Sequence, residues 1–196
     1  MFSYFIIYKP YKMLSQFVRI PKKRVLLDLN FEFPLGTNAI GRLDENSEGL
    51  LVLTNDKQLT QLLLKPENLH TRVYCVQVLG KVTEEELKIL EAGVKIRLNP
   101  LDYFTKPCKA KIIEAPSNLA PRGHPVKPEL PTTWIELTLT EGKFHQIRKM
   151  TVVVGHQTVR LIRNAIEDVL LNDMKPGEVR KLQREEIYDK LKIKLN

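Results

Sequence analysis

Residues 41–51, Gly-Arg-Leu-Asp-Glu-Asn-Ser-Glu-Gly-Leu-Leu, carry the densest chemistry in this chain. An acid, Asp44, stands two residues after Arg42 on a polar stretch between two apolar runs. Loops held between rigid strands are favoured places for catalysis. The run Asp-Glu-Asn-Ser is also good turn chemistry, so residue types alone leave a plain surface turn open. A second segment, residues 141–150, reads Glu-Gly-Lys-Phe-His-Gln-Ile-Arg-Lys-Met. Its Lys143, His145, Arg148 and Lys149, with Arg160 and Arg163 downstream, suit contacts to several phosphates. An amphipathic helix with a solvated face accounts for the same residues. Arg19, Lys22, Lys23 and Arg24 form a proline-marked basic loop, again either phosphate contacts or a solvated charge run.

The bulk composition narrows the chemistry. Lysine plus arginine number 31 against 23 acidic residues, a formal net charge of +8 in 196 residues. That balance favours a polyanionic partner without choosing among RNA, DNA and acidic membrane. The histidines, His70, His124, His145 and His156, show no metal-ligand spacing, and no cysteine pair is close. There is no Gly-x-Gly-x-x-Gly run, Walker loop or Gly-x-Ser-x-Gly elbow. No cofactor and no metal are therefore expected. No stretch approaches the ~20 apolar residues that span a bilayer, and the apolar start lacks a basic leader and cleavage site. Cys75 and Cys108 read as free thiols within strands. The expectation is a cytoplasmic protein with no membrane association, and a monomer as the simplest state.

Short elements must position these residues. Ser3–Tyr8 reads as a strand ended by Lys9-Pro10. Leu50–Thr54 reads as a buried strand, with Asn55 or Asp56 capping a helix to about Leu64. Val73–Leu79 is strand-like. Thr83 and Glu86 make a capping box for a helix that Gly93 ends. Lys106–Glu114 reads as a half-exposed strand, and Trp134–Thr140 as another. Residues 115–131 contain five prolines and read as a loop or insertion. Phe144, Ile147, Met150 or Thr151, and Val154 space one apolar stripe, which predicts a helix over Lys143–Val154. Thr158–Arg163 and Glu178–Leu182 complete the strands. The pattern predicts an α+β fold on a mostly antiparallel sheet.

The motifs together resemble those of the single-site ribosomal RNA pseudouridine synthases. Gly41-Arg42-Leu43-Asp44 with Ser47-x-Gly49-Leu50-Leu51 is similar to the family's catalytic motif, and Lys9-Pro10 to its first motif. Arg72-Val-Tyr74-Cys-Val76 resembles the tyrosine motif, and residues 141–150 the third. Leu161-Ile162-Arg163 is similar to a following family strand, although Glu167 stands where the family usually has glycine. The likeness runs from about residue 3 to 182, in the family's order. It implies a bent mixed sheet with short helices in two lobes around a cleft. Residues 1–183 would be the catalytic domain, with the 115–131 insertion and no room for an N-terminal S4 domain. Residues 184–196 would be a C-terminal tail with helical character.

By the same resemblance, the reaction is isomerisation of uridine to pseudouridine in ribosomal RNA, with 23S rRNA of the large subunit as partner. Asp44 is implied as nucleophile, Arg148 as the cation that orients it, and Tyr74 as the ring that stacks on uracil. Arg42 is implied to fill the space left by the extruded nucleotide. Lys9, Lys143, His145, Lys149, Arg160, Arg163 and the 19–24 loop are the expected RNA contacts. The rivals are a catalytically inactive rRNA-binding or ribosome-assembly protein on the same fold, and a general DNA-binding module.

Overall fold

Aromatic and β-branched residues at the N-terminus form β1 (Tyr4–Lys9), buried along its whole length. A 3-10 turn (Leu26–Asp28) and β2 (Asn38–Ala39) precede β3 (Glu48–Thr54) and α1 (Lys57–Leu64). Then come β4 (Arg72–Leu79), α2 (Glu84–Ala92), β5 (Lys95–Leu98), β6 (Leu101–Phe104), β7 (Lys109–Ile113) and β8 (Thr132–Leu139). The chain closes with α3 (Gln146–Val153), β9 (Thr158–Ile166), β10 (Val169–Leu170), β11 (Val179–Leu182) and α4 (Arg184–Lys190). The computed structural model describes residues 1–65, 67–117, 119–121 and 130–194. Most of the expected 115–131 insertion, His124 included, lies outside the described residues. Among those described, no helix is long and apolar enough to cross a membrane. The elements fall into two compact units, Met1–His70 with Ile162–Asn196, and Thr71–Leu161.

In the first unit β1 lies between β11 and β3, antiparallel to both. β3 is buried at every residue, which is why it reads as an apolar run with no alternation. Its start pairs in parallel with β9, Glu48 opposite Ile162 and Gly49 opposite Arg163. β2 on β3 and β10 on β9 are antiparallel, and an isolated parallel bridge joins Met13 to Arg24. Phe5, Ile7, Met13, Leu26, Leu29, Leu51 and Leu53 form a core, with Phe17 and Phe33 against it. Each large apolar side chain so buried stabilises the fold by roughly 1.5–3 kcal/mol.

Asp56 joins three elements of this unit. It caps α1 through Gln58 N (2.9 Å) and Leu59 N (3.3 Å) and accepts from the Tyr4 and Tyr188 hydroxyls, both at 2.8 Å. Burial works against its charge, but these hydrogen bonds win and hold its carboxyl below the usual range. Tyr188 is on α4, whose Ile187 and Tyr188 are buried, as is Leu191 just beyond. The C-terminal segment expected as a tail is therefore part of this unit's core.

In the second unit β8 lies between β4 and β7, antiparallel to each, and β4 has β9 on its other side. β5 and β6 make a separate hairpin that the sequence did not announce, because its charged residues mask the alternation. α2 has the expected capping box of Thr83 and Glu86, and Gly93 follows it. Cys75 is buried on β4, while Cys108 sits just outside β7. Both are free thiols, so only Cys75 lies within a strand. α3 begins at Gln146, not at Lys143. His145 is left-handed (φ 54°, ψ 28°) and breaks the helix there. Phe144, expected on the apolar stripe, is instead 70% exposed.

Candidate active site

The turn that carries Asp44 is pinned from three directions, all within the first unit. Leu43 is buried, and its backbone is clamped by the Ser15 hydroxyl, which accepts from Leu43 N (3.0 Å) and donates to Leu43 O (2.8 Å). Ser47 N donates to Asp44 O (3.0 Å), which closes the turn. Lys12 N donates to Glu45 O (2.9 Å), and Lys23 forms an ion pair with the Glu45 carboxylate at 2.7 Å. Asp44 itself is half-buried and Arg42 exposed. The turn is therefore held at its backbone, with Asp44 half-buried on it. Ser15 is a contribution that residue types did not single out; a lone serine carries no pattern.

Below the turn lies a buried charged cluster. Lys9 is 0% exposed, and its Nζ donates to Pro10 O (2.9 Å) and Met13 O (2.6 Å). Burial pushes its pKa down to about 7, against the pull of Glu48, Asp44 and Glu45. Arg163 is buried too, and its Nε donates to Leu50 O at 2.8 Å. Gly49 sits between them, opposite Lys9 on β1 and Arg163 on β9. A Cβ on Gly49 would lie 2.3 Å from Arg163 O. The motif glycine is thus the condition for β9 to approach the turn. These positions correct the expectation that Lys9 and Arg163 contact RNA: neither presents surface to it. Both lie under the turn that carries Asp44.

In the second unit Tyr74 is on β4, opposite Leu137 of β8, and nearly buried. Arg148 is half-buried on α3, and its Nη1 donates to Thr158 O on β9 at 3.3 Å. The Thr151 and Thr158 hydroxyls, 2.8 Å apart, hold α3 and β9 together. Arg160 is buried and donates to Ala120 O (3.1 Å), which removes it as well from the expected surface contacts. Lys143 is exposed, and His145 and Lys149 are half-buried, around the start of α3.

The 19–24 loop lines an open concavity of about 550 Å³ in the first unit. Arg19 is paired with Asp28 (2.7 Å) and Lys23 with Glu45, while Lys22 and Arg24 are exposed. Arg19 and Lys23 thus each face a carboxylate that a phosphate must displace or share.

A clamped turn carrying a half-buried carboxyl, a floor of buried cations, and basic residues on exposed loops fit the class of enzymes that modify RNA. The model of the RNA pseudouridylate synthases matches residues 3–152. The chain is 39% identical over 178 residues to ribosomal large subunit pseudouridine synthase E of Vibrio parahaemolyticus, covering 89% of this chain and 71% of that protein. It is 41% identical over 172 residues to the protein of the same name from Xanthomonas axonopodis pv. citri, covering 86% and 87%. A crystal structure of a pseudouridylate synthase superposes with a TM-score of 0.79 at 27% identity, covering 97% of this chain and 74% of that one. This chain belongs to the RNA pseudouridylate synthase family. It is an RNA pseudouridine synthase, an isomerase with the α+β fold of that family.

Proposed function

We propose that this protein converts a uridine of ribosomal RNA to pseudouridine, that the RNA is 23S rRNA of the large subunit, and that Asp44 is its nucleophile. The relatives' name supports the substrate. The half-buried acid on a turn whose backbone is clamped carries the assignment of Asp44. A turn fixed before substrate arrives costs little reorganisation in the reaction. In the isomerisation the bond from uracil N1 to the ribose breaks, the ring turns, and C5 bonds to the sugar in its place. The C5 proton leaves to solvent, and N1 takes up a proton in its place. No electron is gained or lost, and in this reading the Asp44 side chain is the attacking group. In this reading Arg148 orients Asp44, Tyr74 stacks on the uracil, and Arg42 stands in for the extruded nucleotide.

Incubation with rRNA carrying tritium at uridine C5 tests the reaction. Wild type is expected to release tritium to water, and none from any rRNA would leave an RNA-binding protein on the same fold. Asp44→Asn is expected to lower release by ~10³-fold or more while RNA affinity stays within a few-fold. Arg148→Ala is expected to lower it about 100-fold with little loss of stability. An active Asp44→Asn enzyme would remove Asp44 from the role.

A further inference from the structure

We infer that the Phe144–His145 pair is a prebuilt stacking platform for an unpaired base of the RNA, separate from the residues proposed to act on the target uridine. The two rings lie parallel, centroids 3.9 Å apart and 17° between planes. Phe144 is 70% exposed. Leaving a phenylalanine in water forgoes the stabilisation its burial would give. A single exposed ring is ordinary on a protein surface. Three features set this one apart, all within the second unit.

The first is rigidity. Glu141 accepts hydrogen bonds from the Tyr103 hydroxyl, from Lys106 N (2.9 Å) and from Gln146 Nε2 (2.7 Å). Gln146 in turn accepts from Lys143 N at 2.9 Å and is itself buried. Residues 141–146 are thereby clasped to the β5–β6 hairpin, and Phe144 stands on a fixed support. The second is presentation. The left-handed His145, just before α3, keeps Phe144 out of the helix, and the two rings lie face to face. The third is charge. The Lys149 Nζ lies 5.2 Å from the Phe144 centroid, and the Lys143 Nζ 4.8 Å from that of Tyr103. Rings interleaved with cations match an RNA single strand, whose bases stack while its phosphates meet the lysines.

The inference rests on the RNA substrate proposed above, so its test reads binding instead of turnover. A fluorescently labelled single-stranded oligouridylate of about ten nucleotides is titrated with the full chain and followed by anisotropy. Phe144→Ala is expected to weaken binding by about tenfold with an unchanged melting temperature. Phe144→Leu is expected to be as weak, and Phe144→Trp to bind like wild type with its indole emission quenched by the RNA. Wild-type affinity in Phe144→Ala, or recovery in Phe144→Leu, overturns stacking. A Phe144→Ala protein with unchanged RNA affinity and an altered oligomeric state would make the patch a protein contact and overturn it equally. Failure to release tritium counts against the proposed reaction alone, because these variants are compared by affinity.

Discussion

Lys9 and Gly49 show how single residues build the floor of the acidic turn. A lysine with no accessible surface stays charged only against its own desolvation, so burial favours the neutral amine. The Lys9 pKa near 7 lies below the ~10.4 of an unfolded lysine. Between those values the folded protein holds fewer protons than the unfolded chain, so stability rises with pH. Above about pH 10.4 the contribution is complete, and it is lost as pH falls toward 7. Urea unfolding of wild type and Lys9→Met from pH 7 to 10 is expected to show wild type gaining on the variant. A gap that stays constant would mean that Lys9 keeps its proton throughout. The variant also leaves Pro10 O and Met13 O without their donor, an offset that does not vary with pH. Gly49 is limited by space and conformation. Its φ of +104° and the 2.3 Å approach to Arg163 O leave no place for a methyl. Gly49→Ala is expected to cost about 3 kcal/mol or more, read as a fall in the urea midpoint.

At the scale of elements, the joints are made by polar side chains that each face two partners. His156, just before β9, places Nδ1 2.7 Å from Leu79 O at the end of β4, and Nε2 3.0 Å from a Glu86 oxygen on α2. Both partners are acceptors, so the doubly protonated ring satisfies both. Burial opposes that charge, but the Leu79 carbonyl and Glu86 carboxylate outweigh it and raise the His156 pKa above its usual value. A raised folded pKa gives stability that is whole below the unfolded pKa of about 6.5 and is lost as pH rises through the folded one. The stability difference between wild type and His156→Ala is therefore expected to shrink from pH 6 toward pH 8 and above. Thermal melts over that range check it, and a difference that grows would reverse the assigned charge. At the β9–β10 turn, Glu167 takes φ 47° where the resembling family usually has glycine. Lys192 at 3.1 Å and His70 at 3.6 Å hold its carboxylate, which offsets the strain.

For the whole molecule, the net charge of +8 favours a polyanion, and the number of phosphate contacts sets how binding responds to salt. Counted from the sequence, the expected RNA contacts include Lys9, Arg160 and Arg163, which the fold buries, and Arg19 and Lys23, which acids already pair. Arg42, Lys22, Arg24, Lys143, His145 and Lys149 remain. A single strand contributes a slope of about −0.7 per phosphate contact, so log affinity against log salt is expected to fall with a slope near −4. A slope near −8 would mean that the buried Lys9, Arg160 and Arg163 and the acid-paired Arg19 and Lys23 all reach the RNA after all.

The sequence by itself determined the elements with strong local signals. The Asp56 cap, the Thr83–Glu86 capping box and the apolar run of β3 are written in residue types and spacing, because caps and buried strands need particular side chains nearby in the chain. The order of motifs also marked Asp44, Tyr74 and Arg148 as the residues to weigh. Local spacing misread the start of α3, because one left-handed residue outweighs an apolar stripe. Only the tertiary structure decided which cations are surface and which are floor. Lys9 and Lys143 are the same residue type, yet one is sealed between strands and the other stands in water. Burial depends on the packing of strands far apart in sequence, β1, β3 and β9, and no local pattern encodes that distance.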